Sequence, residues 1–232
     1  MVKLGIIGAM DIEVALLKEN MENLTVETHA DMAFYTGTLW GVSAVVVQSG
    51  IGKVNAAMCA QILCGHYGVS HIVNTGIAGS LDKDLDIGDL VISRDAIYHD
   101  FDLRFWGRPI GQVPGFDVTA FPADEKLINL ALAAAETVNP GHARLGRIAS
   151  GDQFICSKEQ KERIIAGTQG ICAEMEGAAI AHAAYRNGVP FVIIRAISDK
   201  ADDSAQMDYP TFEAIAARRC AEVTMTVAQM LP

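Results

Sequence analysis

Carboxylates recur just beyond short apolar runs in this chain, with few basic residues beside them. Asp11 and Glu13 follow "GIIGAM", Asp152 follows "RIASG", and Asp199 follows "FVIIRAI". Glycines or other small residues stand at these run ends and at "NTGIAGS", which holds Ala78 and Gly79, so a ligand can approach the backbone closely. Acids without adjoining bases suit acid–base chemistry on a substrate that is neutral or develops positive charge. An oxocarbenium-like transition state, as in glycoside cleavage, needs one acid and one base and is stabilised by negative charge. Substrate hydroxyls would also donate hydrogen bonds to ionised carboxylates. Sugar cleavage is therefore the reaction class that these residue types permit.

A second pair of acids, Glu174 and Glu176, lies in the largely apolar stretch "ICAEMEGAAIAHAAY" (171–185). Withdrawing an ionised carboxylate from water costs several kcal/mol unless it is paired. The pair therefore reaches the surface or meets something polar inside. A spacing of two puts them on roughly opposite sides of a helix, so a helix would give them separate tasks.

Other chemistries find little support. "GIIGAM" has only G-x-x-G, and in "SGIGKV" Val54 follows Lys53, so both nucleotide-phosphate motifs fail. No G-x-S-x-G elbow is present, and none of the five cysteines sits in a catalytic frame. The six histidines are dispersed and no C-x-x-C occurs, which argues against a zinc site.

The elements that must position these acids alternate along the chain. Strands are expected at 3–9, 44–48, 71–76, 89–93, 147–151 and 191–197, several of them continuously apolar, as in sheets covered on both faces. Helices are expected at 11–23, 53–66, 124–138, 158–167, 177–187 and 210–230, with Ser157 capping the fourth. Such alternation implies an α/β domain with a largely parallel sheet between helices. Ligands bind beyond the carboxyl ends of strands in such sheets. At 232 residues the chain, 1–232, is most simply one domain. Residues 99–122 form a long Gly/Pro-punctuated loop rich in aromatics, suited to an interface or to binding. The net charge of -10 argues against a nucleic-acid surface, and no run reaches transmembrane length. The N-terminus reads as a buried first strand, and the odd cysteine count fits free thiols in a reducing cytoplasm.

Taken in order, "GIIGAMDIEV", "SGIGKVNAA", "NTGIAGSL", "SGDQFI", "AEMEGAAIAH" and "VPFVIIRAISDKAD" resemble the motifs of bacterial 5′-methylthioadenosine/S-adenosylhomocysteine nucleosidases, from residue 3 to the final helix. The resemblance implies a single-domain three-layer α/β/α sandwich around a mixed, largely parallel twisted sheet, of nucleoside phosphorylase type. It implies hydrolysis of the N-glycosidic bond of 5′-thioadenosine compounds, without cofactor or metal, by a cytoplasmic homodimer whose partner is a small adenine nucleoside.

By motif, Glu13 resembles the base that activates water, with Arg195 nearby. Asp199, positioned with Ser198, resembles the acid that protonates adenine N7. Phe154 would stack on the purine and the Ile155 backbone would read its edge. Glu176, helped by Met175, would hold the ribose hydroxyls, with Glu174 in support. Met10, Ile51, Ala78 and Gly79 would line the pocket. Leu103, Trp106 and Pro114 of a neighbouring subunit would close its 5′ end. In these roles Asp199 must stay protonated, which burial favours, and Glu13 must stay ionised, which Arg195 favours.

Three departures from the family stand out: Ile77 where a small or hydroxyl residue is usual, "LRFWG" (103–107) in place of a smaller loop, and Tyr209 where phenylalanine is common. Ile77 removes a side-chain hydroxyl contact to the water, and the other two bear on the 5′-substituent rather than on adenine. The rival readings are a phosphate-dependent nucleoside phosphorylase, a hydrolase of 6-amino-6-deoxyfutalosine, and a non-catalytic nucleoside-binding protein.

Overall fold

Alternating apolar side chains let one sheet build two cores. In β1 (Lys3–Gly8), Leu4 and Ile6 join one buried cluster while Ile7 joins the other. In β4 (Val42–Gln48), Ala44 and Val46 face the first and Val45 and Val47 the second. β10 (Phe191–Asp199) divides likewise, with Val192, Ile194 and Ala196 opposite Phe191, Ile193 and Ile197. The first cluster is closed by α1 (Asp11–Glu19), α3 (Glu125–Val138) and α6 (Ala205–Met230), the second by α2 (Lys53–Gly65) and α5 (Gly177–Asn187). This three-layer architecture is seen in a computed structural model that describes residues 2–231.

The sheet is mixed. β4, β1, β5 (His71–Ser80) and β10 form a parallel run. β2 (Glu22–His29) and β3 (Met32–Leu39) extend it antiparallel beyond β4. On the other side β10 pairs antiparallel with β6 (Leu90–Tyr98), and β6 pairs parallel with β8 (Ala143–Ser150). β8 then pairs with β9 (Cys172–Glu174), which returns antiparallel to β5. The pairings around β5, β10, β6, β8 and β9 thus close on themselves and gather several strand ends into one place. α4 (Lys158–Thr168), capped by the Ser157 hydroxyl as expected, covers the β8–β9 end, and the short β7 (Phe121–Pro122) pairs with β6.

Two differences from the sequence expectations have clear causes. β2 and β3 were not anticipated, because β2 is an almost fully exposed edge strand with no buried alternation to reveal it. α6 starts at Ala205, so Pro210 lies inside the helix rather than at its start. At the sixth helical position the proline forgoes the bond an N–H would make to the Gln206 carbonyl, a cost of interior proline that this long helix carries.

Candidate active site

A cavity of about 480 Å³ opens where β1, β5, β9 and β10 end. β1 stops at Gly8, and the turn through Met10 delivers Glu13 at the third position of α1. Glu13 is buried. Its Oε2 accepts from the backbone N–H of Ala9 (2.7 Å) and Met10 (3.0 Å), and its Oε1 accepts from that of Ile77 (3.1 Å). Glu13 therefore caps its own helix as the returning acid of a capping box does. It also faces the cavity. Burial pushes its carboxyl above the ordinary range, opposed by the Arg195 charge and the three amides. A base raised towards neutrality is better matched to proton transfer at neutral pH.

Only glycine fits beside that carboxylate. A Cβ at Gly76 would lie 2.5 Å from Glu13 Oε1 and 3.3 Å from Arg195 Nη1. Gly76→Ala is therefore expected to displace Glu13 and to lower kcat by about 10²-fold, the scale of a misplaced catalytic group. Steady-state kinetics of the variant check this, and an unchanged kcat would mean that Glu13 needs no fixed seat.

Asp199 is aimed by a β-bulge. Ile197 pairs with Ala78 and Asp199 with Gly79, so two residues of β10 oppose one of β5 and Ser198 is the extra residue. Bulges of this kind re-aim a side chain beside active sites. The Asp199 carboxyl accepts from the Ser198 hydroxyl (2.9 Å) and from the Ala201 N–H (2.8 Å). Ala201 holds a left-handed φ of 50° to present that N–H. Burial raises the Asp199 pKa, as the acid role requires, against the pull of those two donors. Glu13 and Asp199 thus lie against Gly76 and Gly79 of one strand, three residues or roughly 10 Å apart.

Glu174 and Glu176 do not separate as a helical spacing suggested. β9 ends at Glu174, and Glu176 is the N-cap of α5, so the irregular step between them turns both towards Arg195. Glu174 Oε2 lies 2.5 Å from Arg195 Nη2 and Glu176 Oε2 lies 3.9 Å from it. Glu174 also accepts from the backbone N–H of Glu176 and Gly177 and from the Ser150 hydroxyl. These bonds tie β8, β9 and the start of α5 together, and Glu174 also lines the cavity. Arg195 Nη2 donates in addition to Asn74 Oδ1 at 2.6 Å. Arg195, expected near Glu13, is 2 % exposed and sits behind the cavity wall, where its charge acts on Glu13 while its guanidinium anchors Glu174.

Glu176 Oε1 accepts from the Gly52 N–H at 2.8 Å. Burial, then the Glu174 charge, pushes the Glu176 pKa up, with Arg195 and Gly52 opposing. The folded state therefore holds this proton more tightly than the unfolded chain does. The associated stability is complete below the unfolded pKa and is lost as pH rises through the folded value. Glu176→Gln escapes that loss. Its melting temperature is expected to exceed that of the parent by about 2–4 °C at alkaline pH, on the order of 1 kcal/mol, and by less at pH 5. An offset independent of pH in thermal melts would contradict the assignment.

Of the other expected residues, Met10, Ile51, Ala78, Gly79, Phe154, Ile155, Met175, Ser198 and Tyr209 all line the cavity. The Tyr209 hydroxyl reaches Met10 Sδ at 3.4 Å and its ring meets Phe154 edge-on at 5.6 Å, so these three frame the mouth. Ile77, the departure noted above, is also on the wall. Leu103, Trp106 and Pro114 do not line this chain's cavity. Sequence reasoning missed Asn74, although an amide inside the apolar run "HIVNTG" was a usable signal. It also missed Gln153, Ala173 and Ala201, of which the two alanines carry no signal by residue type. Lys53 of the phosphate-loop lookalike is engaged by Asp100 (2.5 Å) and Asp152 (3.7 Å).

Residues 3–229 match the sequence profile of the phosphorylase superfamily, and the chain belongs to that superfamily. Solved structures are similar over their whole length. A 5′-methylthioadenosine/S-adenosylhomocysteine nucleosidase from Neisseria meningitidis, in complex with methylthio-immucillin-A, is 37% identical with a TM-score of 0.96, and 100% of each chain is covered. One from Colwellia psychrerythraea, in complex with adenine, is 38% identical over 99% of this chain and 96% of that one, with a TM-score of 0.95. A futalosine hydrolase from Helicobacter pylori is 32% identical over 99% and 98%, with a TM-score of 0.94. Within the superfamily the chain is a member of the nucleosidase family, whose enzymes are N-glycosidase hydrolases.

Proposed function

We propose that this chain hydrolyses the N-glycosidic bond of 5′-methylthioadenosine and S-adenosylhomocysteine, and of 5′-deoxyadenosine, releasing adenine and the 5′-substituted ribose. The observation that carries the reading is two buried carboxyls of raised pKa, Glu13 of α1 and Asp199 of β10, facing one cavity beside β5. In this reading Phe154 stacks on adenine and the Ile155 backbone reads its edge. Asp199 gives its proton to N7 as the bond to C1′ breaks and its electron pair passes to the base. Glu176 accepts hydrogen bonds from the ribose hydroxyls. Water attacks C1′ and Glu13 takes its proton, so a negative carboxylate faces the developing oxocarbenium charge.

Phosphate has no comparable welcome. Arg195 and Lys53 are already held by carboxylates, whereas phosphate recognition calls for free arginines or backbone donors. The amides beside the nucleophile position are likewise occupied by Glu13. Free adenine from the three nucleosides, and little hypoxanthine from inosine, is expected equally with and without phosphate. Adenine release that requires phosphate would make the chain a phosphorylase, and no release from any thioadenosine would overturn the reading.

The same reading takes residues 1–232 as one nucleosidase domain working as a cytoplasmic homodimer. Phe105 is 97 % and Trp106 70 % exposed on the long loop, and a second copy's Leu103, Trp106 and Pro114 would close the 5′ end. No described helix is long and apolar enough to cross a membrane. The likeness to a futalosine hydrolase supports a second activity on 6-amino-6-deoxyfutalosine, which the same adenine assay reads directly.

A further inference from the structure

The fold brings together residues that look unrelated along the chain. β2 is an exposed edge strand, and a spacing of two places Glu27 and His29 on one side of it. His66 is the C-cap of α2 and arrives at the same spot. Glu27 Oε2 lies 3.4 Å from His29 Nε2 and 3.8 Å from His66 Nε2, and the ligand atoms of all three lie within 4.8 Å of one another. None of these residues lines the cavity described above.

We propose that Glu27, His29 and His66 form a binding site for a divalent transition-metal ion of the zinc class. Zinc bonds to nitrogen and oxygen of about 2.0–2.2 Å set tetrahedral ligands roughly 3.3 Å apart. Two of the separations are within about 0.5 Å of that value. The third closes by a rotamer adjustment, which exposed or half-exposed side chains make freely. Two imidazoles and one carboxylate select zinc, nickel, cobalt or copper over magnesium or calcium. Water completes the coordination.

The surroundings orient the ligands. The Tyr67 hydroxyl donates to Glu27 Oε2 at 3.1 Å, an outer-shell contact of the kind that aims a metal-binding carboxylate. Tyr67 is itself fixed by stacking on Phe34 at 5.0 Å and by the Lys3 ammonium, which donates to the Tyr67 carbonyl at 2.8 Å. The two imidazoles lie with centroids 4.3 Å apart, both against Tyr67. An ion here ties the otherwise exposed β2 edge to the end of α2, the helix preceded by the Gly52 that meets Glu176.

Titration of the metal-free full-length protein with zinc chloride in a calorimeter tests the site, with cobalt absorption reporting the ligand type. One ion per chain is expected, with nitrogen and oxygen ligation and no thiolate band. His29→Ala and His66→Ala should each weaken binding at least tenfold, and Tyr67→Phe about tenfold. Zinc should raise the melting temperature of the parent, by mass action, and not that of the double histidine variant. Adenine release by the variants should match the parent, which shows that they fold. Absence of zinc binding to the parent would overturn the proposal. So would a double histidine variant that binds zinc with parental affinity, or a thiolate band.

Discussion

Asp199→Asn is expected to lower kcat by about 10²–10⁴-fold, the contribution of a general acid, while nucleoside binding stays measurable. The amide keeps the shape of the carboxyl. Its oxygen can accept from the Ala201 N–H, and its NH₂ can donate to the Ser198 hydroxyl once that group turns. What it lacks is a proton to give to N7. Leaving-group adenine would then depart as an anion, which is the costly step that protonation avoids. In the parent, activity should fall on the alkaline side as Asp199 ionises, later than an ordinary carboxyl would dictate, because burial raises its pKa. Rate and equilibrium binding measured together decide the matter. Near-parental turnover would remove Asp199 from the acid role.

Glu13→Gln is expected to be as damaging to rate, about 10²–10⁴-fold, and to carry a stability cost as well. Three backbone N–H groups point at the two Glu13 oxygens, and glutamine offers only one oxygen to them. At least one buried donor would be left facing an NH₂, a loss of about 1–3 kcal/mol. In the parent the acidic limb of the rate profile should follow protonation of Glu13, which burial shifts upward from the ordinary carboxyl range. The two raised acids together predict a bell-shaped profile. An active glutamine variant would shift attention to Asp11, but that residue is an exposed partner of Lys18 at 2.6 Å.

Much of this site was legible because its residues sit at strand ends, where a loss of apolar pattern and a gain of small residues mark the sequence. Glu13 and Asp199 were found that way, and the family motifs added Ser198 and assigned the roles. Less legible were features that need three dimensions. The bulge at Ser198 that turns Asp199 inward leaves no mark in residue type. The ion pairs of Arg195 were not foreseen, because Glu174 and Glu176 look opposed on a helix, whereas a strand end followed by a helix N-cap lets both reach one guanidinium. The β2–β3 hairpin was missed for a related reason: an edge strand exposed on both faces carries no burial pattern. His29 and His66 were unpromising in sequence because pairing at that edge is what joins them.

The central claim is that water, activated by Glu13, becomes the new substituent at C1′. Cleavage of 5′-methylthioadenosine in water enriched in heavy oxygen, in a buffer containing phosphate, tests it most directly. The account predicts free methylthioribose carrying one labelled oxygen at C1′ for each adenine released, analysed before exchange of the free sugar can add label, with no sugar phosphate. Methylthioribose 1-phosphate lacking the label at C1′ would contradict it.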